Sequence, residues 1–319
     1  MFDHLVTLAH GENIGKETII LGIGMASNAH TYEYEIDLKS DVAPARVLRM
    51  VGHGKKVLEI GAGPGSITRH LSGTLGCDVV ALEIDPTALE KLKPHARSLY
   101  AMDLNDPAWS AELQEKEGSF DVVIAADVLE HVYDPWAVLG SMKSLLNDTG
   151  SVILSIPHVG HAAVAACLLD EDFEYRPWGL LDRTHIRFFG IKNIQALYAS
   201  QGLSIEQSEF VVRTPQMTEF VHRWQRLPED VRAALQRNRF SHVYQIVSRA
   251  VPKDRAQHDL RLMDLDVPPP EQSVSVYWKS IMASIKPAPD SDPRSTLSKH
   301  SPAEKDRSIV ASLKRRLGF

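Results

Sequence analysis

The sequence predicts an α/β fold: a doubly wound, mostly parallel sheet with helices on both faces and an antiparallel strand at one edge. Three observations predict it. Four continuous apolar runs of strand length alternate with helical patterns from about Arg46 onward. A glycine-rich turn joins the first run to a helix, and two late strand-like runs flank a polar helical stretch.

Val57 to Ile60, Val79 to Ile84, Val122 to Ala126 and Val152 to Ile156 are apolar without alternation, as expected of strands covered on both faces. Leu99 to Ala101 is a shorter run of the same kind. Helical stretches at Ser66 to Leu75, Pro86 to Arg97 and Pro135 to Leu146 separate them, the last two opening with Pro at a first-turn position. Leu203 to Val212 and His242 to Val251 are predicted strands, paired antiparallel at one edge, with a helical segment from Pro215 to Gln236 between them.

Beyond Pro268, Pro269 and Pro270 the composition shifts, and residues 286–302, rich in Pro, Ser, Asp and Lys, read as linker. Ile309, Val310, Leu313 and Leu317 then recur at helical spacing beside Lys314, Arg315 and Arg316. The expected division is an N-terminal extension at 1–45, a main domain at 46–252, a second extension at 253–285, the linker at 286–302 and a basic amphipathic helix at 303–319.

Charge follows that division. The chain of 319 residues carries a net −6, of which residues 286–319, with 8 Lys and Arg against 4 Asp and Glu, hold +4 and the preceding residues −10. An acidic body argues against nucleic-acid binding, which needs a basic surface to neutralise phosphates. Cys77 and Cys167 are far apart with no CxxC partner, which excludes a disulfide framework and a cysteine zinc site and fits a reducing cytoplasm. No apolar run reaches 18 residues and the N-terminus lacks a signal-peptide pattern, so the expected location is cytoplasmic. The basic helix leaves two further options, the inner face of the membrane or a protein partner. The first forty residues, with Thr18 to Ile23 strand-like and Tyr32 and Tyr34 aromatic, cover an acceptor pocket or form a homodimer contact.

The most informative segment runs from Val57 to Ser66, a buried strand entering a Gly61-Ala62-Gly63-Pro64-Gly65 turn and then a helix. Such a turn lets a ligand lie against bare amides. The spacing differs from the Gly-x-Gly-x-x-Gly of dinucleotide sites, and Glu59, just before the turn, would repel a pyrophosphate but attract a cationic amino-acid moiety. An adenosyl-amino-acid ligand is favoured over NAD. Glu83, at the end of the next strand, suits two ribose hydroxyls, and Asp103, after the third, suits an adenine amino group or simply caps a turn. Asp85 before Pro86 reads as a helix N-cap, and Asp121 as closing a turn at its strand's entrance.

Together these residues resemble the class I S-adenosylmethionine-dependent methyltransferases, with a Rossmann-like sheet. Phe120 to Val132, containing Leu129-Glu130-His131, is similar to that family's motif below the cofactor, and Leu146-Asn-Asp-Thr-Gly-Ser-Val152 is a degenerate match to the next. The resemblance implies S-adenosylmethionine as cofactor, held by Glu59, Gly61, Ala62, Gly63, Gly65, Glu83 and Ile84. From the later strands it adds Asp103, Leu104, Ala126, Asp127 and His131.

Methyl transfer from a sulfonium is an in-line displacement, so collinear positioning and exclusion of water dominate, and a hydroxyl acceptor also needs a base. An unperturbed imidazole, with a pKa of about 6.5, suits that role at neutral pH. Ser155 to His158 and Leu181 to Phe189 are similar to bacterial methyltransferases of surface-polysaccharide and secondary-metabolite pathways, related to the quinone-biosynthesis O-methyltransferases. That resemblance implies O-methylation of a sugar, glycan or other small molecule, with His158, Asp182 and His185 at the acceptor side. His185 is the expected base, oriented by Asp182 if the two side chains converge; His131 is a cofactor contact or a strand cap. Arg183 and Arg187 bind an anionic acceptor or pair at the surface, and Trp136, Trp178 and Phe188 pack or stack on a sugar. No Asp-Asp pair follows the fourth strand and Asp170 to Asp172 reads as a solvated loop, so no metal is expected. A scaffold that keeps the fold without turnover, and a nicotinamide-dependent oxidoreductase, are the competing classes.

Overall fold

The computed structural model describes residues 33 and 35–270. The expected strand at 18–23, the linker and the basic helix lie outside the described residues.

Helix α1 (Ala43–Val51) leads into β1 (Lys56–Ile60), α2 (Thr68–Gly73), β2 (Asp78–Leu82), α3 (Pro86–Leu92), β3 (Ser98–Tyr100), α4 (Trp109–Glu117) and β4 (Phe120–Ala126). Then follow α5 (Pro135–Ser144), β5 (Leu146–Pro157), α6 (Ala162–Leu169), α7 (Ile191–Ser200), β6 (Leu203–Val212), α8 (Val221–Arg226), α9 (Glu229–Gln236) and β7 (Val243–Pro252). One seven-stranded sheet has the order β3-β2-β1-β4-β5-β7-β6. The first five strands are mutually parallel, and β7 runs antiparallel to both of its neighbours, β5 and the edge strand β6. The doubly wound α/β expectation therefore holds, with the reversed strand lying one place in from the edge.

Successive strand residues go to opposite layers, which is why the runs are apolar without alternation. Val57, Val79, Val122 and Ile153 pack with α1 and α2, whereas Leu58, Val80, Val123 and Leu154 pack with α4, α5 and α7. Asp85 caps α3 as expected, accepting from Thr87 and Ala88 backbone N–H groups. Asp121 ties two strand entrances together, accepting from the Lys56 amide and the Asn147 side chain.

Three expectations change. The boundary at 45/46 falls inside α1, whose Ala45, Val47 and Leu48 are buried, and Asp41 pairs with the buried Arg213 after β6, so residues ahead of Arg46 belong to the packed body. The expected helix from Pro215 to Gln236 breaks at Leu227-Pro228 into α8 and α9, because Pro supplies no amide for a helix interior. The acidic run from Asp170 to Asp172 is held by Arg223 of α8, which pairs with Asp170, Asp172 and, at 2.9 Å, Glu174. No helix among the described residues is long and apolar enough to cross a membrane.

Candidate functional site: a glycine loop beside a histidine and glutamate cluster

The glycine loop leaves β1 at the carboxyl end of the sheet, where open α/β sheets bind ligands. Gly61 has φ 63° and a Cβ there would lie 2.7 Å from Cγ2 of Val128, so the loop packs directly on the turn after β4. Gly63 has φ 55° and faces open space, with no atom within 4 Å of a hypothetical Cβ. A bare peptide beside empty space is the surface a flat ligand can lie on. Gly65 completes the turn, its amide donating to the Ala62 carbonyl at 3.2 Å.

The acids expected at this crevice occupy different environments. Glu83 accepts from the Gly63 amide at 2.7 Å and from the Ile84 and Asp85 amides at 2.7 and 2.8 Å, so three N–H groups fix the carboxylate at the loop's rim. Ile84 beside it is 62% exposed, an apolar surface that an adenosyl group would cover. Glu59 is buried, takes a 2.7 Å hydrogen bond from Thr68 Oγ1, and is pushed up to about 8 chiefly by loss of solvent. An ammonium group reaching Glu59 would restore its charge. Asp103 is exposed and accepts from the amide and side chain of Asn105, a local turn contact, while Leu104 is half-buried against the core. The residues therefore fit S-adenosylmethionine: an acid for the amino group, a fixed carboxylate at the rim, a bare loop and an uncovered apolar side chain.

The turn after β4 carries the second half of the site. Ala126 ends β4 paired with Ser155 of β5, and Asp127 follows with φ 56°, an uncommon conformation for a residue with a Cβ. Asp127 is held there by Ser155 Oγ at 2.9 Å and Gln245 Nε2 at 2.6 Å. Its strained turn swings Glu130 and His131 inward.

Glu130 is 1% exposed, and neither carboxylate oxygen has a hydrogen-bond partner. Burial and the nearby charge of Asp127 push its carboxyl well above the usual range. Its backbone carbonyl accepts from the amides of Ile186 and Arg187, docking the 182–189 segment on the turn. That segment brings His185 in: Nδ1 lies 3.3 Å from the Leu180 carbonyl oxygen and Nε2 lies 3.9 Å from Glu130 Oε1. His131 meets His185 edge to face at 4.7 Å between ring centres, its Nδ1 3.2 Å from the Thr184 carbonyl oxygen. From His185 an aromatic path leads outward through Phe188, Phe173 and Tyr175, with successive ring centres 6.3, 5.4 and 5.1 Å apart.

The expected acceptor-side residues take different places. His185 does not keep an ordinary imidazole pKa: burial and His131 bring it down to about 4, so it is neutral at pH 7. Nδ1 of His185 faces Leu180 and Nε2 faces Glu130, while Asp182 Oδ1 accepts from the Thr184 amide at 2.8 Å and hydroxyl at 2.7 Å and its charge acts on both His131 and His185. His158 is buried where β5 meets β7, with Nδ1 3.0 Å from the Val243 carbonyl oxygen, and its backbone pairs with Phe189 at the end of the 182–189 segment. Arg187 donates to the Tyr133 carbonyl rather than standing open. Sequence reasoning missed Glu130 and Gln245. The Leu-Glu-His run held the first in plain sight, but only the fold brings Gln245 to Asp127.

A doubly wound sheet with this loop and this set of acids defines a nucleoside-binding α/β enzyme class. The family model described as "Methyltransferase domain" matches residues 33–208, more than half the chain, and the chain belongs to that family, whose cofactor is S-adenosylmethionine. Among curated relatives, a ubiquinone biosynthesis O-methyltransferase of Xanthomonas campestris pv. campestris (strain B100) is 30% identical over 121 residues, covering 38% of this chain and 50% of the relative. A mitochondrial ubiquinone biosynthesis O-methyltransferase of Schizosaccharomyces pombe is 36% identical over 111 residues, covering 32% and 38%. The chain thus spans about half the length, or less, of these relatives. A crystal structure of magnesium protoporphyrin IX methyltransferase from Synechocystis PCC 6803 with bound S-adenosylhomocysteine aligns over 70% of this chain and 91% of that one, at 16% identity and a TM-score of 0.45.

Proposed function

We propose that the chain is an S-adenosylmethionine-dependent O-methyltransferase whose acceptor is a hydroxyl on a small aromatic molecule. The observation that carries this reading is the aromatic path from Tyr175 through Phe173 and Phe188 to His185, which ends beside unpaired Glu130 on the turn that packs against the cofactor loop. Aromatic walls hold a flat ring by offset or edge contacts. The named activity of the two curated relatives, O-methylation in ubiquinone biosynthesis, supports a ring-bearing acceptor. The sugar or glycan acceptor expected from the sequence has no such support.

When bound, S-adenosylmethionine supplies a methyl group on a cationic sulfur, which becomes a neutral thioether as the methyl leaves. The chain's own part is to hold, orient and deprotonate. Glu59 receives the amino group, Glu83 the ribose, and the bare face at Gly63 leaves room for the body of the nucleoside. On the acceptor side, neutral His185 with Nδ1 on the Leu180 carbonyl presents Nε2 as a lone pair, ready to take the hydroxyl proton. Glu130 Oε1 lies 3.9 Å from that nitrogen, and a proton arriving on His185 would favour ionisation of the Glu130 carboxyl, whose charge would then stabilise the imidazolium.

A labelled methyl donor offered with a panel of catechols and phenols, and separately with free sugars and nucleotide sugars, tests the reading. Methyl ethers on the phenolic panel are expected. Transfer to sugars alone would return the glycan reading, and donor binding without transfer to any acceptor would favour the non-catalytic one.

A further inference from the structure

Glu130 presents two buried carboxylate oxygens with no hydrogen-bond partner, which costs stability unless something compensates. His185 does not supply that partner by hydrogen bonding, because 3.9 Å exceeds hydrogen-bond length. The hydrogen on each imidazole is already assigned by its surroundings. Nδ1 of His185 faces the Leu180 carbonyl oxygen at 3.3 Å, and Nδ1 of His131 faces the Thr184 carbonyl oxygen at 3.2 Å; carbonyls only accept, so both Nδ1 atoms carry hydrogen and both Nε2 atoms are lone pairs. Thr184 Oγ1, 3.1 Å from His131 Nδ1, gives its own hydrogen to Asp182 at 2.7 Å and accepts there too. One buried site therefore collects a carboxyl group whose oxygens have no hydrogen-bond partner and two imidazoles whose Nε2 atoms are lone pairs. A cation is the occupant whose chemistry such a set satisfies.

We propose that Glu130, His131 and His185 form a binding site for a divalent first-row transition cation. One ligand atom from each residue lies within 4.8 Å of the others. Ligand atoms on one tetrahedral ion with bonds of about 2.1 Å lie about 3.4 Å apart, so the widest pair needs to close by up to about 1.4 Å. One oxygen and two imidazole nitrogens suit zinc, cobalt or manganese better than magnesium, which prefers an oxygen shell. Both imidazoles hold backbone carbonyls through Nδ1, the outer support that orients metal-binding histidines. Asp182 finds its place in this arrangement: through Thr184 it supports His131.

Three protein ligands leave positions open. If the proposed acceptor site is right, an acceptor hydroxyl reaching the ion would lose its proton to solvent more readily, and His185, with Nε2 on the ion, would hold the ion in place of taking that proton itself. That role rests on the proposed function; metal binding itself does not.

The test uses the full-length protein, stripped with chelator, with neither methyl donor nor acceptor present. Titration with Co2+, read by visible absorption, and then displacement by Zn2+ in a calorimeter should show saturable binding. Glu130→Gln and His185→Asn should each lose one equivalent or weaken it at least tenfold, while His222→Asn, at an exposed pair with Glu174, should leave it unchanged. Circular dichroism checks folding of each variant, and the half-buried His131 supplies His131→Gln should the buried substitutions unfold the chain. Absence of saturable binding, or equal binding in wild type and folded variants, overturns the proposal. Because no cofactor enters the assay, that failure would leave the methyltransferase reading standing, and failure of methyl transfer would leave the metal result standing.

Discussion

Nε2 of His185 lies 3.9 Å from Oε1 of Glu130, and the two residues reach that approach from segments 55 positions apart in the chain. The turn after β4 supplies the acid, and the loop after α6 supplies the imidazole. Glu130→Gln keeps the size of the side chain but removes its capacity to ionise. It should lower turnover by about 10² to 10⁴, the range for lost acid–base assistance, while leaving S-adenosylhomocysteine affinity within a few-fold. Steady-state kinetics beside calorimetry reads the two separately; equal losses in both would place Glu130 in cofactor binding instead.

As the proposed contact of the donor's amino group, Glu59 would link cofactor binding to pH. Its folded pKa of about 8 stands above the ordinary 4.5, so the empty folded state holds a proton the unfolded chain releases. That contribution to stability is full below the unfolded value and is lost as pH rises through about 8. An ammonium group against Glu59 would displace the proton, so S-adenosylhomocysteine binding at pH 7 should release up to one proton. Calorimetry in two buffers of different ionisation heat measures it. Glu59→Gln should abolish the release, and identical heats in both buffers for the wild type would contradict the assignment.

His161 works in the opposite direction. It is fully buried, its Nε2 2.8 Å from the Arg213 carbonyl oxygen and its Nδ1 accepting from the Ala163 amide at 3.1 Å, and burial lowers it to about 3. Its contribution is present above the unfolded value of about 6.5 and lost as pH falls toward 3. His161→Ala should cost roughly 2 kcal/mol at pH 7 by stranding two polar groups, and less at pH 5. Urea unfolding at both pH values checks the sign.

Asp41 tests whether the residues ahead of Arg46 are structural. Arg213 is 1% exposed and forks onto both carboxylate oxygens of Asp41. Asp41→Ala leaves a buried guanidinium without its counter-charge and should cost roughly 3 to 5 kcal/mol. A melting temperature unchanged within a degree would make residues 35–45 a dispensable appendage.

The parallel half of the sheet was legible because each strand is buried on both faces and so reads as an unbroken apolar run; Val79 to Leu82 and Val122 to Ala126 need no context to be recognised. The residues proposed to hold the cofactor could be named from the sequence for a related reason. Gly61, Gly63, Glu59 and Glu83 sit close in sequence, since one βαβ unit builds that crevice. The acceptor half was less so. His185 pairs with Glu130 and Asp127 with Gln245 only after β7 inserts between β5 and β6 and the 182–189 segment folds back on the β4 turn. Short spacing suggested Asp182 for His185, but the local turn turns that carboxylate to Thr184. Helix α1 was not among the expected elements, although Pro44 near its start is the usual residue of a first helical turn.

The central claim is that the loop from Gly61 to Gly65 holds S-adenosylmethionine. Gly63 is the place to test it, since a side chain there meets no protein atom within 4 Å and would project into the space assigned to the ligand. Calorimetry with S-adenosylhomocysteine on wild type and on Gly63→Arg, each checked for folding by circular dichroism, measures it directly. One-to-one binding to the wild type and its loss in the folded variant are expected; a wild type that does not bind, or a variant that binds as well, would contradict the assignment of the loop.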